Sequence, residues 1–292
     1  MGRRGTSSDV TLFNFKLGDA VLSFVEASAY PDKVQSLVSA LNIADQAVLK
    51  VDAADASFAE VVVALDASGL KPGLLVLGGV SGDSIAALTA GTVVSSYPVV
   101  GPQVVELRER LAGLRLDSGG DAVVQVDHSF PVKGVGTVAL GVVKAGTVRK
   151  HDELAVFPGG VKASVKSVQV QDMDVGEACA GLRVGLALKD VEPGDVPRGS
   201  VLSTGRVDCG REFEVKAYLS KYSPRGLAEG DVFTLNASLN YVPARVVGGS
   251  LSPGGGGVVR LSLDREVPLV SGRVLFLDPG QRKPRVFGCG LV

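Results

Sequence analysis

The 292-residue sequence has no tryptophan, only two methionines, three cysteines and two histidines, and its formal net charge is −1. Three cysteines cannot form a disulfide framework or a spaced zinc site, although a Cys209–Cys289 disulfide would suit a hyperthermophilic source. We therefore expect no metal site. A near-neutral charge argues against a strongly basic DNA-packaging protein and against an acidic tail. The scarcity of Asn, Gln, Cys and Met is typical of thermophilic proteins.

Long apolar segments are also missing. No run approaches the roughly 18 residues that a membrane span needs, and the polar first residues lack the core of a signal peptide. We therefore expect a cytoplasmic protein that does not insert into a membrane. Hydrophobic residues nevertheless make up 46% of the chain, which is enough for a large buried core.

The first third of the chain, residues 1–116, alternates predicted strands and helices. A hairpin is predicted from 11–15 and 20–27, followed by strands at 47–51, 73–77 and 92–96, a helix that begins after Tyr30, and helices at 57–67, 83–88 and 103–114. Strands that alternate with helices favour parallel pairing through crossover connections. This part is predicted to be an α/β domain.

Beyond residue 116 the pattern changes to short β-runs punctuated by glycine, with no convincing amphipathic helix. Strands at this spacing are typical of barrels and sandwiches. A second boundary is predicted near 202–210, where one β-unit closes and another begins. The chain therefore divides into residues 1–116, 117–204 and 205–292.

Several chemical motifs are absent or occur by accident. No Gly-Lys dipeptide occurs, so the phosphate loop G-x-x-x-x-G-K-[ST] is missing from the chain. The stretch GVGTVA at 134–139 satisfies G-x-G-x-x-A but leads into valine-rich β-sequence rather than a helix, so it does not indicate a dinucleotide site. The only histidines, His128 and His151, form no recognisable catalytic constellation. We expect no catalytic residue and no cofactor.

Two segments carry a resemblance to a known family. VDHSFPVKGVGTVALGVVKAGTV, followed by AGLRVGLALKDVEPGDVPRGSVL, resembles domain 2 of the elongation factor Tu superfamily, above all the selenocysteine-specific factor SelB and its archaeal SelB-like relatives. NYVPARV, PLVSGRVLFLD and PRVFGCGLV resemble domain 3 of the same group. The resemblance implies two six-stranded β-barrels after a degenerate GTPase-like α/β domain.

The resemblance also shows which nucleotide-contacting positions have changed. FVEASAY at 24–30 is similar to the strand and D-x-P-G-H turn of the family, with Glu26 at the metal-linked Asp, Ala29 at the Gly and Tyr30 at the catalytic His. The guanine-reading motif is replaced by GGVS, which places Gly78 and Gly79 there. We predict that this chain does not hydrolyse GTP and is not an enzyme.

A missing strand raises a physical difficulty. In the family the strand before the phosphate loop lies between two strands that are present here, and its loss leaves backbone groups that need partners. Two alternatives follow. Either the flanking strands pair directly, or residues upstream of Met1 belong to the protein.

The family resemblance points to tRNA as a partner. Residues 205–292 carry 12 basic and 8 acidic residues, and domain 3 of the family holds the acceptor and T-stem region of tRNA. Phosphate neutralisation by basic residues would give salt-dependent binding. We select the RNA-binding candidates Arg225, Arg245, Arg282, Lys283 and Arg285, whereas the alternative is ordinary solvated strand faces.

The family lines its aminoacyl pocket from domain 2. By resemblance, Asp127, His128 and Arg183 match the positions that SelB uses around the aminoacyl group, and Phe130 matches a pocket aromatic. His128 and Arg183 could contact a selenolate or thiolate, and Asp127 could take the α-amino group. The alternative is that these are remnant polar residues on a barrel rim, since Val135 replaces the usual Arg there.

Three functions remain open at this stage. The first is a binder of tRNA, above all aminoacyl-tRNA, that needs no GTP. The second is a ribosome-binding regulator or hibernation factor that occupies the translation-factor site, and the third is a protein-interaction scaffold. In each case we expect a monomer without membrane or DNA partners.

Overall fold

The computed structural model describes residues 3–6, 9–17, 20–112, 116, 118–270 and 272–292. It contains an α/β part followed by two closed β-barrels. The α/β part consists of β1 (Arg3–Thr6), β2 (Thr11–Leu17), β3 (Ala20–Glu26), α1 (Val34–Ile43), β4 (Ala47–Val51), α2 (Ala56–Ser68), β5 (Gly73–Leu77), α3 (Gly82–Thr89), β6 (Val99–Val100) and α4 (Val104–Ala112). No helix in these described stretches is long and apolar enough to span a bilayer.

The first barrel begins after residue 121. Its elements are β7 (Val123–Val132), β8 (Gly136–Ala145), β9 (Thr147–Arg149), β10 (Glu153–Phe157), β11 (Val161–Val170), β12 (Met173–Val175), β13 (Glu177–Cys179), β14 (Arg183–Lys189), a 3₁₀ turn (Pro193–Asp195) and β15 (Val201–Ser203). Six strands close in the order β10-β15-β7-β8-β14-β11, because β11 pairs back with β10. Alternate residues such as Val124 and Val126 fill its core.

The second barrel closes in the order β16-β19-β18-β17-β20-β21. Its strands are β16 (Cys209–Leu219), β17 (Val232–Ala237), β18 (Asn240–Gly248), β19 (Gly256–Pro268), β20 (Arg273–Leu277) and β21 (Val286–Leu291). Three phenylalanines, Phe233, Phe276 and Phe287, meet in its core with ring centroids 4.8–6.2 Å apart. The α/β part and the two six-stranded barrels confirm the predicted fold class. All three cysteines are free, so the Cys209–Cys289 disulfide does not form.

One predicted strand is wrong. Residues Val93–Ser96 form a 3₁₀ turn, and the third strand of the parallel sheet is the short β6 that follows. The hydroxyls of Ser95 and Ser96 donate to the carbonyls of Thr92 and Val93, and the amide of Val93 donates to Asp66. Such local side-chain bonds compete with a ladder, because they occupy the backbone groups that a neighbouring strand would need.

The strands of the α/β part lie in two separate sheets. Among the described residues, β1, β2 and β3 form an antiparallel sheet, and β4, β5 and β6 form a parallel one, so direct pairing of β3 with β4 is contradicted. Helix α4 packs against both sheets. Its Leu107 and Leu111 pack against the β5–β6 face, while the Arg108 guanidinium lies 3.9 Å from the ring centre of Phe15 in β2.

Helices α1 and α2 attach the α/β part to the second barrel. Val34, Leu37 and Val38 of α1, with Ala64 and Ala67 of α2, share one buried apolar cluster with Leu275, Leu277 and Val286. On the first barrel, the Lys144 ammonium donates to the carbonyl of Ile43 at the end of α1 and lies 2.7 Å from the Asp45 carboxylate. The α/β part therefore contacts both barrels.

Candidate functional site

A β-bulge in β7 builds the candidate site. Val126 pairs with Gly141 and His128 pairs with Leu140, so Asp127 is an extra residue in the ladder. Strict alternation would send neighbouring side chains to opposite faces, but the bulge lets Asp127 and His128 share the outer face of the barrel. Gly141 permits this geometry, since a Cβ there would lie 2.4 Å from the carbonyl oxygen of Gln125.

Asp127 and Arg183 form an ion pair on this face. Asp127 is only 3% exposed, and its Oδ2 lies 2.8 Å from Nη1 of Arg183, with Nη2 3.4 Å from Oδ1. The shorter contact is not aligned as a hydrogen bond. Burial raises the pKa of the Asp127 carboxyl, while the guanidinium groups of Arg183 and Arg198 act in the opposite direction. Each charge is therefore matched within the protein.

His128 and Phe130 lie beside this pair and are more accessible. Their ring centroids are 5.7 Å apart with planes tilted by 42°. Cross-strand pairing places His128 opposite Leu140 and Phe130 opposite Val138, and side chains of directly opposite residues share a face. We call these four side chains, His128, Phe130, Val138 and Leu140, the outer platform. The structure thus brings together the four residues of the predicted pocket, which are Asp127, His128, Phe130 and Arg183.

An open cleft of about 530 Å³ lies at the hairpin end of β7 and β8. It lies between the tip of the β7–β8 hairpin and the segment 188–195, and its wall is fixed by the Thr137 hydroxyl, which donates to the carbonyl of Val191 over 2.7 Å. Val135, which the resemblance places at the family's usual Arg, is in this wall. The cleft also contains Lys133 and Lys189 together with acidic residues, so it has no single sign of charge.

A second ion pair, which sequence reasoning missed, lies near the first. Arg198 contacts Asp9 in a bidentate manner, with Nη1–Oδ1 and Nη2–Oδ2 distances of 2.9 and 2.8 Å. The Ser39 hydroxyl of α1 donates to the same carboxylate, and the Tyr241 hydroxyl of the second barrel donates to the carbonyl of Gln35. All three parts of the chain meet at this point. No motif marks Asp9 in the sequence.

The predicted RNA-binding residues do not share one environment. Arg245 and Arg282 are exposed. Arg225 is one-third exposed and lies 3.4 Å from Asp231 and 3.8 Å from Asp278. The Lys283 ammonium donates to the Ser57 hydroxyl of α2 over 2.6 Å.

Arg285 lies in the domain interface. It is 8% exposed, and its guanidinium contacts both oxygens of the fully buried Glu60 carboxylate over 2.7 and 3.0 Å. It also donates to the carbonyls of Pro31 and Asp32. A guanidinium with this burial and these partners cannot reach RNA phosphates while the domains are in contact, so the assignment of Arg285 to the RNA surface is corrected to an interdomain contact.

The positions that the resemblance assigns to a degenerate nucleotide site make contacts within the protein. Glu26 is exposed at the end of β3, and the amide of Ala29 donates to the Ser36 hydroxyl. The Tyr30 hydroxyl donates to the carbonyl of Ser57 over 2.8 Å. Gly78 and Gly79 pack against Asp52 so closely that a Cβ at either would lie 2.1 or 2.7 Å from an Asp52 oxygen. Within the described residues, no group of His, Cys, Asp and Glu side chains is arranged to hold a metal.

Comparison with known proteins identifies the family. The family model of elongation factor Tu domain 2 matches residues 136–203, within the barrel that carries the site. An uncharacterised protein of Methanocaldococcus jannaschii is 33% identical over 99% of this chain and 94% of its own length. The selenocysteine-specific elongation factor of the same organism is 27% identical over 84% of this chain. The chain belongs to the elongation factor Tu and SelB superfamily of translation factors.

Solved structures show the same fold. SelB from Methanococcus maripaludis, crystallised with the GTP analogue GppNHp, superposes with a TM-score of 0.77 and 24% identity over 98% of this chain and 73% of that chain. A bacterial selenocysteine-specific factor gives the same TM-score at 19% identity. The chain spans 58% of the length of the Methanocaldococcus selenocysteine-specific factor. The fold shared with these structures therefore includes the α/β part and both barrels.

Proposed function

We propose that this translation-factor relative binds aminoacyl-tRNA through its two barrels and does so without a nucleotide cycle. The outer platform next to the Asp127–Arg183 pair carries this proposal, because it lies on the barrel that matches domain 2 and joins aromatic surface to a polar pair. An aminoacylated 3′ end likewise carries polar groups, which are its ester and its amino group, next to a side chain. Aromatic side chains are a common stacking surface for single-stranded RNA ends.

The second barrel supports the proposal through charge. Arg245, Arg282 and the partly exposed Arg225 give it accessible cations, whereas Lys283 and Arg285 contact the α/β part and do not belong to this surface. Phosphate contacts of this kind add affinity without reading the base sequence. The barrel would therefore hold the tRNA body, and the platform would distinguish charged from uncharged 3′ ends.

The α/β part supports the absence of GTP turnover. By resemblance, Tyr30 stands at the position of the family's catalytic His, and its hydroxyl donates to the carbonyl of Ser57. The chain contains no Gly-Lys dipeptide, so its sequence offers no lysine of the phosphate-loop type. We infer that helices α1 and α2 act here as a support for the barrels.

A gel-shift titration with one tRNA, aminoacylated and deacylated, tests the proposal in nucleotide-free buffer. The charged form should bind more tightly, and His128→Asn should reduce the difference between the two forms. His151→Asn is the matched control, because His151 is exposed on the same barrel away from the platform and Asn tolerates its positive φ of 75°. Equal, weak binding of both tRNA forms, unchanged by His128→Asn, would overturn the proposal.

A further inference from the structure

The parallel sheet of the α/β part has an open edge at β4. The amide of Ala47 donates to the carbonyl of Pro72, and the carbonyl of Val51 accepts from an amide just beyond β5. In a parallel ladder the residues between such partners direct their own amides and carbonyls to the opposite side. The backbone groups of Val48 and Lys50 therefore point away from β5, toward an edge with which no other described strand pairs.

Strand β3 has a second open edge. It pairs with β2 along its whole length, from Ala20 to Glu26, and with no other strand among the described residues. Because β3, α1 and β4 follow one another as a strand, a helix and a strand, β3 and β4 run in the same direction. An open edge of this kind presents a row of amides and carbonyls that can pair with a further strand.

Helices α1 and α4 pack against both sheets, on opposite faces. Ala40 of α1 shares an apolar cluster with Val25 of β3, and Leu41 packs against the cluster that Leu49 of β4 joins. On the other face α4 packs against β5 and β6 and contacts the ring of Phe15 in β2. We call the region between the open edges of β3 and β4 the β3–β4 gap. It has a helix on each face.

Apolar side chains beside the β3–β4 gap remain accessible. Val48 is 44% exposed, whereas its neighbour on β5, Leu74, is 4% exposed because α4 covers it. Phe24 of β3 is partly exposed as well. Strands of a parallel sheet that are covered on both faces are apolar on both faces. One added strand would cover Val48 and Phe24 and would itself be covered by α1 and α4, so the gap fits an apolar strand.

The carboxyl-terminal end of the β3–β4 gap is acidic. Glu26 is exposed at the end of β3, and the side chain of Asp52, directly after β4, is 64% exposed. The Lys50 ammonium lies 2.6 Å from the Asp52 carboxylate and balances one of these two charges. Residues 1–116 as a whole carry 9 basic and 12 acidic residues. Electrostatic complementarity therefore favours an added strand that is followed by a basic residue.

We propose that the β3–β4 gap is a docking site for one extended segment of another protein, which pairs with β4 in parallel and with β3 on its other side. The segment is apolar over the five residues that match β4, and a basic residue follows it. In strand addition of this kind the main-chain hydrogen bonds give affinity and the side-chain contacts give specificity. The surface lies on the α/β part, so the inference does not depend on tRNA binding by the barrels.

Fluorescence anisotropy on the full chain tests the proposal with a labelled peptide. The peptide has five alternating valine and isoleucine residues followed by glycine, lysine and arginine. Two control peptides have the same length: one carries proline at its second and fourth positions and so lacks two amide donors, and the other ends in two acidic residues. We expect each control to bind on the order of tenfold more weakly.

Amide hydrogen exchange, followed by NMR, shows where the peptide binds. The amides of Val48 and Lys50 should exchange on the order of tenfold more slowly once the peptide is bound, because each gains a carbonyl partner. The amides of Leu49 and Val51 already face β5 and should change little.

The variant Val48→Pro removes an amide that points into the gap and no hydrogen bond to β5, and proline is tolerated on the open side of an edge strand. It should weaken peptide binding on the order of tenfold. Val48→Ala is the matched control, because it keeps the amide, and it should weaken binding less. If Val48→Pro does not fold, amide exchange in the wild type decides.

Three results would overturn the proposal. The first is a failure of the peptide to bind, or equal binding of all three peptides. The second is binding that leaves the exchange of the Val48 and Lys50 amides unchanged. The third is slow exchange of both amides in the protein alone, which in a dimer would show that a second copy fills the gap and in a monomer that the chain itself does.

Discussion

The guanidinium of Arg285 lies against the carboxylate of Glu60, with Nη2 2.7 Å from Oε2 and Nε 3.0 Å from Oε1. The two residues are 225 positions apart in the sequence and join the last strand region of the second barrel to helix α2. The backbone amide of Arg285 donates to the same carboxylate. A cation that composition assigns to an RNA surface is therefore an interdomain contact.

Removing one partner of this pair should destabilise the protein strongly. Glu60→Gln or Arg285→Met leaves a buried charge without a partner, and such losses reach about 3–5 kcal/mol in the free energy of unfolding. The double variant Glu60→Leu/Arg285→Met removes both charges and should be more stable than either single variant. Urea titrations at pH 7 measure the free energy of unfolding of each variant relative to the wild type. A loss in the double variant equal to the sum of the two single losses would contradict this account.

The same pair predicts an acid dependence of stability. Burial alone would raise the pKa of the Glu60 carboxyl, but the hydrogen bonds from Arg285 hold it below its ordinary value. A pKa that is lower in the folded state stabilises the protein above the unfolded value of about 4.3, and this contribution is lost as the pH falls through the folded value. The stability difference between the wild type and Glu60→Gln should therefore be constant at pH 6–7 and shrink below about pH 4.3. A difference that stays constant down to pH 3 would contradict the shift.

The sequence predicted the barrels because their evidence is local. Alternating apolar residues and glycine-bounded turns recur every few residues in 117–292, and the resemblance to domains 2 and 3 fixes their order. Asp127, His128, Phe130 and Arg183 could likewise be selected, since they lie in matched segments. Their common face could not be deduced from alternation, because it depends on the bulge at Asp127.

The interdomain contacts could not be predicted from the sequence. The partner of Arg198 is Asp9, 189 residues away, and no spacing rule connects the two. The same holds for Glu60 and Arg285, whose long separation makes them look like independent surface charges. The error at 92–96 has a different cause, because hydroxyl bonds to nearby carbonyls outweighed the β-propensity of Val93 and Val94.

The bulge itself can be tested at Gly141. A methyl group there would collide with the carbonyl oxygen of Gln125 at 2.4 Å, so Gly141→Ala must move the backbone of β7 next to Asp127. We expect a loss of about 2 kcal/mol or more in the free energy of unfolding, as in other overpacked sites. Gly176→Ala is the control, because no atom lies within 4 Å of the new Cβ, and it should change stability by less than about 0.5 kcal/mol. Equal stabilities of the two variants would argue against a tight bulge.

The RNA-binding surface, once Lys283 and Arg285 are excluded from it, predicts how tRNA affinity depends on salt. Arg245→Ala and Arg282→Ala should weaken the binding of aminoacylated tRNA and of deacylated tRNA equally. Each variant should lower the slope of log affinity against log salt concentration by about 1. Arg149→Ala is the matched control, since Arg149 is exposed on the first barrel and pairs with Glu177. Titrations at four salt concentrations measure the slopes. A slope that changes with Arg149→Ala but not with the other two would move the RNA surface to the first barrel.

The proposal of nucleotide-independent binding predicts that GTP has no effect. By resemblance, Tyr30 stands at the position of the family's catalytic His; its hydroxyl donates to the carbonyl of Ser57, and the ammonium of Lys283 lies 5.7 Å from its ring centre. Restoring a histidine with Tyr30→His supplies one catalytic group and no phosphate-binding lysine, so neither the wild type nor the variant should release phosphate from GTP. Binding of a fluorescent GTP analogue and tRNA affinity with and without GTP are measured on both proteins. A GTP-dependent change in the tRNA affinity of the wild type would overturn the proposal. A change seen only in Tyr30→His would show that the α/β part retains a nucleotide site that the tyrosine inactivates.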